Sequence, residues 1–279
     1  MTSGSSLRQQ QLEWAVSAKL TADAKGYLPA YTDNLFQPLT PGALRAFTQG
    51  SGSELLPKEG RHAKMAALHS SSALAVNAFD YWSGKPLAPV ADALGLEGVP
   101  THFDFEAQFP TGLGGTPPNL DLVFRFPDGR LVGVESKYSE WFTPKASGQP
   151  FKPKYFADGA QLWAQAGLPA AQRLAEAMQR GERSFRYLDA PQLLKHMLGL
   201  AVAAPGKVSL YYLYFDCPVG QSPEHRAEIE TFGEQVDPGI SFDWLSYQDF
   251  LARMRRTLLD AEHRPYMDYM TVRYCGERV

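Results

Sequence analysis

The chain of 279 residues is poor in cysteine: it has two, Cys217 and Cys275, and no CxxC pair. That excludes a disulfide framework and a thiolate metal site, and it fits a reducing compartment. An excess of positive charge is missing too, with 27 Lys and Arg against 30 Asp and Glu and a formal net charge of -3. Domains that hold nucleic acid by bulk charge usually have a pI above about 9, so here a polyanion has to be met by a local patch. Long apolar runs are absent: residues 193–204 are broken by Lys195 and His196, and the opening MTSGSSLRQQQ has no hydrophobic segment after its charge. A soluble, cytoplasmic protein without membrane contact is the expectation. No GxxxxGK[ST], GxSxG or HExxH motif occurs, and Gly112, Gly114 and Gly115 lack the GxGxxG spacing. Of the six scattered histidines only His62 and His69 could share a helix face, so a zinc site is not expected.

What is present is ordinary for a globular protein: 44% hydrophobic residues and 20% charged. A chain of this length buries on the order of 75% of its unfolded surface, enough for a core without staples. Apolar positions in LRQQQLEWAVSAKL (residues 7–20) predict a leading helix, followed by a Pro- and Gly-punctuated segment. Met65, Leu68, Ser72, Ala75 and Phe79 predict a helix over residues 61–82, closed by Gly84 and Pro86. From His102 to Phe109 the residues alternate, placing Phe103, Phe105, Ala107 and Phe109 on one face of a strand. LDLVFRF (120–126), the turn PDGR and LVGVESKYS (131–139) read as a hairpin. Helices are predicted over 156–166, 169–180 and 190–203, then a buried strand over 208–215 and a last helix over 247–259. The order is that of an α/β chain with a mixed sheet, divided into an N-terminal helical extension (1–58) and a main domain (59–279).

The chemistry concentrates at one end of the hairpin. With the turn centred on Asp128 and Gly129, residues whose numbers sum to about 257 face each other, so Asp121 lies opposite Ser136 or its neighbour. Alternation puts Glu135 and Lys137 on one face, and a one-residue adjustment brings Asp121 to it. Two carboxylates and an ammonium form a hard oxygen site suited to Mg²⁺, with Mn²⁺ able to substitute. Such a metal polarises a phosphate and generates hydroxide, while Lys137 orients the water or offsets the charge of the transition state. A solvated Glu/Lys pair of little energetic worth is the competing interpretation.

LDLVF…VGVESK resembles the PD-(D/E)xK nuclease superfamily, the restriction-endonuclease-like fold, over roughly residues 60–216. Its core order of helix, three-strand meander, helix, strand and helix parallels the elements above. The segments LHSSSALAVNAFDYW and EAQFPTGLGGTPPNLD are also similar to bacterial members. By position the resemblance implies that Asp121 binds metal and that Glu135 and Lys137 form the (D/E)xK pair. It further implies Mg²⁺-dependent hydrolysis of DNA to 5′-phosphate and 3′-hydroxyl ends; many nucleases of this fold act as homodimers. Asn119 and Leu120 stand where a literal Pro-Asp would be. Members related to exonuclease subunits add a Glu on the first helix and a Gln-x-x-x-Tyr on the helix after the strands. Gln161 is the candidate for that glutamine although the Tyr is missing, and no Glu lies on the first helix because Glu59 precedes it.

Glu106 on the first strand and Ser136 complete the candidate metal ligands; Glu140, Trp141 and Phe142 follow Lys137 closely, the two aromatics as packing residues. Residues 141–157 contain no acid, and Lys145, Lys152 and Lys154 alternate there with Phe151, Tyr155 and Phe156. A cationic loop of this composition can track a nucleic-acid backbone and stack on bases. Arginines 180, 183, 186, 253, 255 and 256 are further cations. The alternative to a nuclease is a catalytically inactive nucleic-acid-binding module of the same fold in a defence or repair complex.

Overall fold

The computed structural model describes residues 3–50, 54–58, 60–145, 148–217, 220–258 and 260–276; Glu59 and residues 146–147 of the basic stretch lie outside them. The strands are β1 (His102–Gln108), β2 (Asn119–Arg125), β3 (Leu131–Lys137), β4 (Val208–Tyr214) and β5 (Ser241–Ser246), which lie side by side in chain order. β1, β2 and β3 form an antiparallel meander, and β4 and β5 extend it in parallel. The expected α/β architecture with a mixed sheet is the one observed.

The N-terminal residues supply α1 (Ser3–Ser17) and α2 (Pro41–Gln49), whose Leu7 and Phe47 join the core beneath the sheet. α3 (Ser71–Phe79) and α4 (Ala88–Leu94) follow, then the one-turn α5 (Leu162–Gln165), α6 (Pro169–Gln179) and α7 (Ala190–Ala203). The chain ends with α8 (Ser222–Val236), α9 (Tyr247–Thr257) and α10 (Arg264–Met270). Leu74, Phe79, Val90, Phe250 and Met267 cover one face of the sheet through Leu122, Phe124, Val134 and Leu213. Leu174, Leu194, Leu200 and Phe232 cover the other through Val123, Leu131, Leu210 and Tyr212. Burial on both faces explains why β3 and β4 read as nearly continuous apolar runs. Among the described residues no helix is long and apolar enough to cross a membrane.

Three local departures from the sequence expectation have physical causes. The helix predicted over 61–82 shrinks to α3, because Ser70 caps its start by accepting from Ala73 N at 3.2 Å and residues 64–66 form a separate 3-10 turn. The helix predicted over 156–166 is reduced to α5, since Asp158 and Gly159 turn into the left-handed region just before it. The third departure is in β1. Phe105 packs with Leu122 on one face, whereas Ala107 and Phe109 join Leu120 on the other. Glu106 between them has φ +51, a left-handed conformation unusual for a non-glycine residue, and it reverses the side-chain alternation; the register is the same on either side of it, at Phe105↔Leu122 and Ala107↔Leu120, with no pair at Glu106 itself. β5 and α8 were not expected. β5 carries Asp243 and shows no regular inside-outside alternation, so its sequence gives no strand period.

A glycine sets the spacing between sheet and crossover helix. A Cβ on Gly133 of β3 would stand 2.8 Å from Leu200 of α7 and 2.9 Å from Leu120. Gly199 of α7 is equally confined, since a Cβ there would stand 2.7 Å from the Phe109 carbonyl oxygen. These contacts let α7 lie close on the sheet, with its N-terminal end beside the C-terminal end of β3.

Candidate active site

Residues of β2 and β3 face each other when their numbers sum to 256, as in Leu122↔Val134, so Asp121 is level with Glu135 rather than Ser136. Its carboxylate accepts from Ser136 N at 2.7 Å across the end of the ladder. Glu135 is 1% exposed and sits between two cationic or potentially cationic groups: the Lys137 ammonium contacts one oxygen, and His196 Nε2 lies 3.0 Å from the other. Neither contact has hydrogen-bond geometry, which leaves both buried oxygens of Glu135 without a hydrogen-bond donor. Lys137 Nζ donates to Gln192 Oε1 at 3.2 Å. Gln192 and His196 are one turn apart on α7, so the close approach of that helix delivers both.

The charges are strongly coupled. Burial pushes the Asp121 carboxyl well above its ordinary range, and the negative Glu135 adds to this, against the opposing pull of Lys137. Burial would also raise Glu135, but Lys137 and His196 outweigh it and hold that carboxyl down at about 2. Burial alone would lower Lys137, yet Glu135 and Asp121 raise it above the usual lysine value. Lys137 is therefore a fixed ammonium. Glu106 is pushed up to about 7 by burial, partly opposed by the Asn119 side chain that donates to it.

Of these groups Asp121, Lys137 and Glu106 open onto a cleft of about 690 Å³, whereas Glu135 is buried behind Lys137 and is not part of its lining. Asp121, Ser136, Lys137, Glu106 and Glu140 line it, together with Gln192, Glu54, Lys64, His69, Tyr27 and the residues 70–72 at the start of α3. Glu140 is occupied by the backbone N–H groups of Tyr138 and Ser139, each at 3.0 Å, and by Ser71 Oγ. Ser136 contributes through its backbone: its hydroxyl lies 2.6 Å from Tyr247 OH and is buried, which removes it from the set of side-chain ligands. Gln161 is not brought to the site, because it is an exposed residue at the start of α5. Gln192 is the glutamine at the cleft, and His196 stands four residues on, where a tyrosine was sought. The signal was visible in QLLKH, whose polar ends interrupt an apolar helix. Glu54, in the segment between α2 and α3, was also missed; it reaches the cleft paired with Lys64 at 3.1 Å and accepts from Ser72 Oγ at 2.8 Å.

The basic stretch is placed elsewhere. Lys145 pairs with Asp189 at 3.1 Å at the start of α7, Lys154 donates to the Gly114 carbonyl, and Lys152 is exposed; none of the three lines the cleft. Phe151 and Tyr155 are buried around Trp163, so they are core residues rather than base-stacking ones. Trp141 is buried as expected, stacked on His225 at 4.1 Å.

Among the described residues no three His, Cys, Asp or Glu side chains gather into a complete metal-binding group. A hexahydrate-like cation needs less, since Mg²⁺ takes one or two carboxylates and completes its shell with water and phosphate oxygens. Asp121 and Glu135 side by side, with Glu106 close enough to raise both the charge density and the Asp121 proton affinity, match that donor set. The Glu135 oxygens have Lys137 and His196 as neighbours but no hydrogen-bond donor in good geometry, so they keep acceptor capacity that a cation beside Asp121 would use.

No curated protein and no solved structure is significantly similar to the chain. One family model does match: it is described as restriction endonuclease associating with ARP, and it covers residues 3–275. That span takes in every strand of the sheet, the α7 crossover and all the residues of the cleft floor. The chain belongs to this restriction endonuclease family and has the restriction-endonuclease-like fold of the PD-(D/E)xK superfamily.

Proposed function

We propose that the protein is a metal-dependent nuclease that hydrolyses phosphodiester bonds of DNA. The observation that carries this reading is that Asp121 and Lys137 open onto one cleft, with the buried Glu135 in contact with Lys137, on a fold and in a family of restriction endonucleases. Asp121 and Glu135 would hold Mg²⁺, with Glu106 reaching in from β1. A bound Mg²⁺ supplies polarisation of the phosphoryl oxygen and a water acidic enough to act near neutral pH.

The rest is done by the chain. Water gives up a proton to bulk solvent as it attacks phosphorus, the bond from phosphorus to the 3′ oxygen breaks, and that oxygen takes a proton from solvent. Lys137, held protonated by Glu135 and Asp121, cannot serve as the general base. Its role is to donate to the attacking water or to a phosphoryl oxygen and to offset charge in the transition state. Gln192 fixes the ammonium from the α7 side. His196 holds Glu135 in its orientation from the same helix.

The reading is tested by plasmid nicking with purified full-length protein. Cleavage in Mg²⁺ or Mn²⁺ that stops in EDTA, and that is lost in Asp121→Asn and Lys137→Ala, is the expected result. Cleavage that survives both substitutions overturns it. A non-catalytic binding module is favoured by one observation, that both Glu135 oxygens already have Lys137 and His196 as neighbours. Metal-independent DNA binding without cleavage is the outcome that would select it.

A further inference from the structure

The wall of the cleft facing the carboxylates comes from the segment before α3. Tyr27 lies at its mouth, half-buried, and stacks on the exposed His62 ring with centroids 4.7 Å apart and planes 21° apart. His69 meets the same tyrosine edge-on, with ring centroids at 6.1 Å. The backbone of Tyr27 is locked on both sides. Its N–H donates to Asp23 Oδ1 at 2.9 Å, its carbonyl accepts from Asp23 N at 2.9 Å, and it bridges to Ala67. His62 is fixed to the same turn through Asp23 Oδ2 at 3.2 Å. An aromatic surface held this firmly has little ordering entropy left to lose when a flat ligand stacks on it.

The cleft itself limits what can enter. A volume of about 690 Å³ falls in the range, roughly 300–1,000 Å³, that takes a drug-sized ligand, room for about one or two nucleotides of a longer strand. Lys137, the ammonium that lines the cleft, is 14% exposed. A phosphate reaches so recessed a group more easily on a strand that has left its partner. Lys64, 61% exposed in the lining of the same cleft and paired there with Glu54, is a cation within reach of the backbone of that strand.

We infer that Tyr27, backed by His62, is a stacking platform for an unpaired base next to the phosphate at Lys137, and that the substrate enters as single-stranded or frayed nucleic acid. The inference rests on the proposed nuclease reading and assigns its substrate class. It also moves the nucleic-acid contact from the loop around Lys145, Lys152 and Lys154 to the N-terminal wall.

The test is fluorescence anisotropy of full-length protein in Ca²⁺, with a short fluorescein-labelled single-stranded oligodeoxynucleotide and with the blunt duplex of the same sequence. Base–aromatic stacking is sequence-tolerant, and its loss in Tyr27→Ala should weaken single-strand binding by about 5- to 100-fold. Tyr27→Phe should retain binding, and duplex affinity should change much less than single-strand affinity in either variant. Unchanged single-strand binding in Tyr27→Ala, an equal loss on duplex, or an equal loss in Tyr27→Phe overturns the inference. Tyr27→Phe and the duplex arm separate stacking from misfolding. Because the readout is binding, a chain that never cleaves DNA but shows this pattern refutes the nuclease reading and keeps the platform. Cleavage without the pattern does the reverse.

Discussion

Replacing Lys137 by methionine removes the ammonium from Glu135 while keeping most of the buried stem. Glu135 then keeps only His196, 3.0 Å away, as a partner for a fully buried carboxylate. A carboxyl held at about 2 instead of the ordinary 4.5 stabilises the folded state by about 3 kcal/mol, at 1.36 kcal/mol per tenfold change in proton affinity. Removing one member of a buried pair costs about 3–5 kcal/mol in general, and the lower end fits a site where His196 remains. In the wild-type protein this contribution is complete above the ordinary carboxylate value and is lost as pH falls from 4.5 through 2. In Lys137→Met, burial raises Glu135 instead, so the penalty applies above the raised value and vanishes on acidification. Urea unfolding followed by circular dichroism in EDTA should show a loss of about 3 kcal/mol at pH 7 and a smaller one at pH 4. Adding Glu135→Gln to Lys137→Met should recover most of the loss, because the uncompensated charge is gone. A loss below about 1 kcal/mol at pH 7, an equal loss at pH 4, or no recovery in the double variant would refute the coupling between these residues.

Other outcomes follow from the same geometry. Glu106 is raised to about 7, so the ionised form costs stability as pH climbs from 4.5 through 7, and Glu106→Gln should gain in melting temperature over wild type at pH 8 but not at pH 4. If the metal is held as proposed, added Mg²⁺ narrows that gap, which differential scanning fluorimetry would measure. Gly133→Ala places a methyl 2.8 Å from Leu200 and 2.9 Å from Leu120, and overpacking of this kind costs about 1–3 kcal/mol. It should also lower nicking activity beyond its effect on stability, since α7 carries Gln192 and His196; full activity at a lowered melting temperature would show that the helix position is not critical.

The meander was legible because its chemistry is local. A tight turn with Gly129 joins two β-rich runs of matched length, and the count across that turn brought Asp121 and Glu135 within one residue of their observed register. α7 matched its predicted span for the same kind of reason, an apolar period running to a clear end at Ala203. The cleft was much less legible. Its wall comes from irregular backbone between residues 20 and 70, whose contacts, such as Tyr27 with Ala67 and His62, are long in sequence and leave no period. The basic loop misled because composition records charge and not direction: Lys145 and Lys154 are spent on Asp189 and Gly114, Lys152 is exposed away from the cleft, and Phe151 and Tyr155 are buried around Trp163.

The sequence by itself determined the α/β class, the hairpin and the triad of Asp121, Glu135 and Lys137 at its end, all consequences of alternation and turn chemistry acting over a few residues. Tertiary structure alone decided what surrounds that triad. It placed His196 and Gln192 against Glu135 and Lys137 and inverted β1 at Glu106. It also chose Tyr27 and Lys64 for the facing wall over Lys145, Lys152 and Lys154. The physical reason is that burial, pairing of charges and the approach of one helix to a sheet at Gly133 depend on neighbours distant in the chain, which no local pattern encodes.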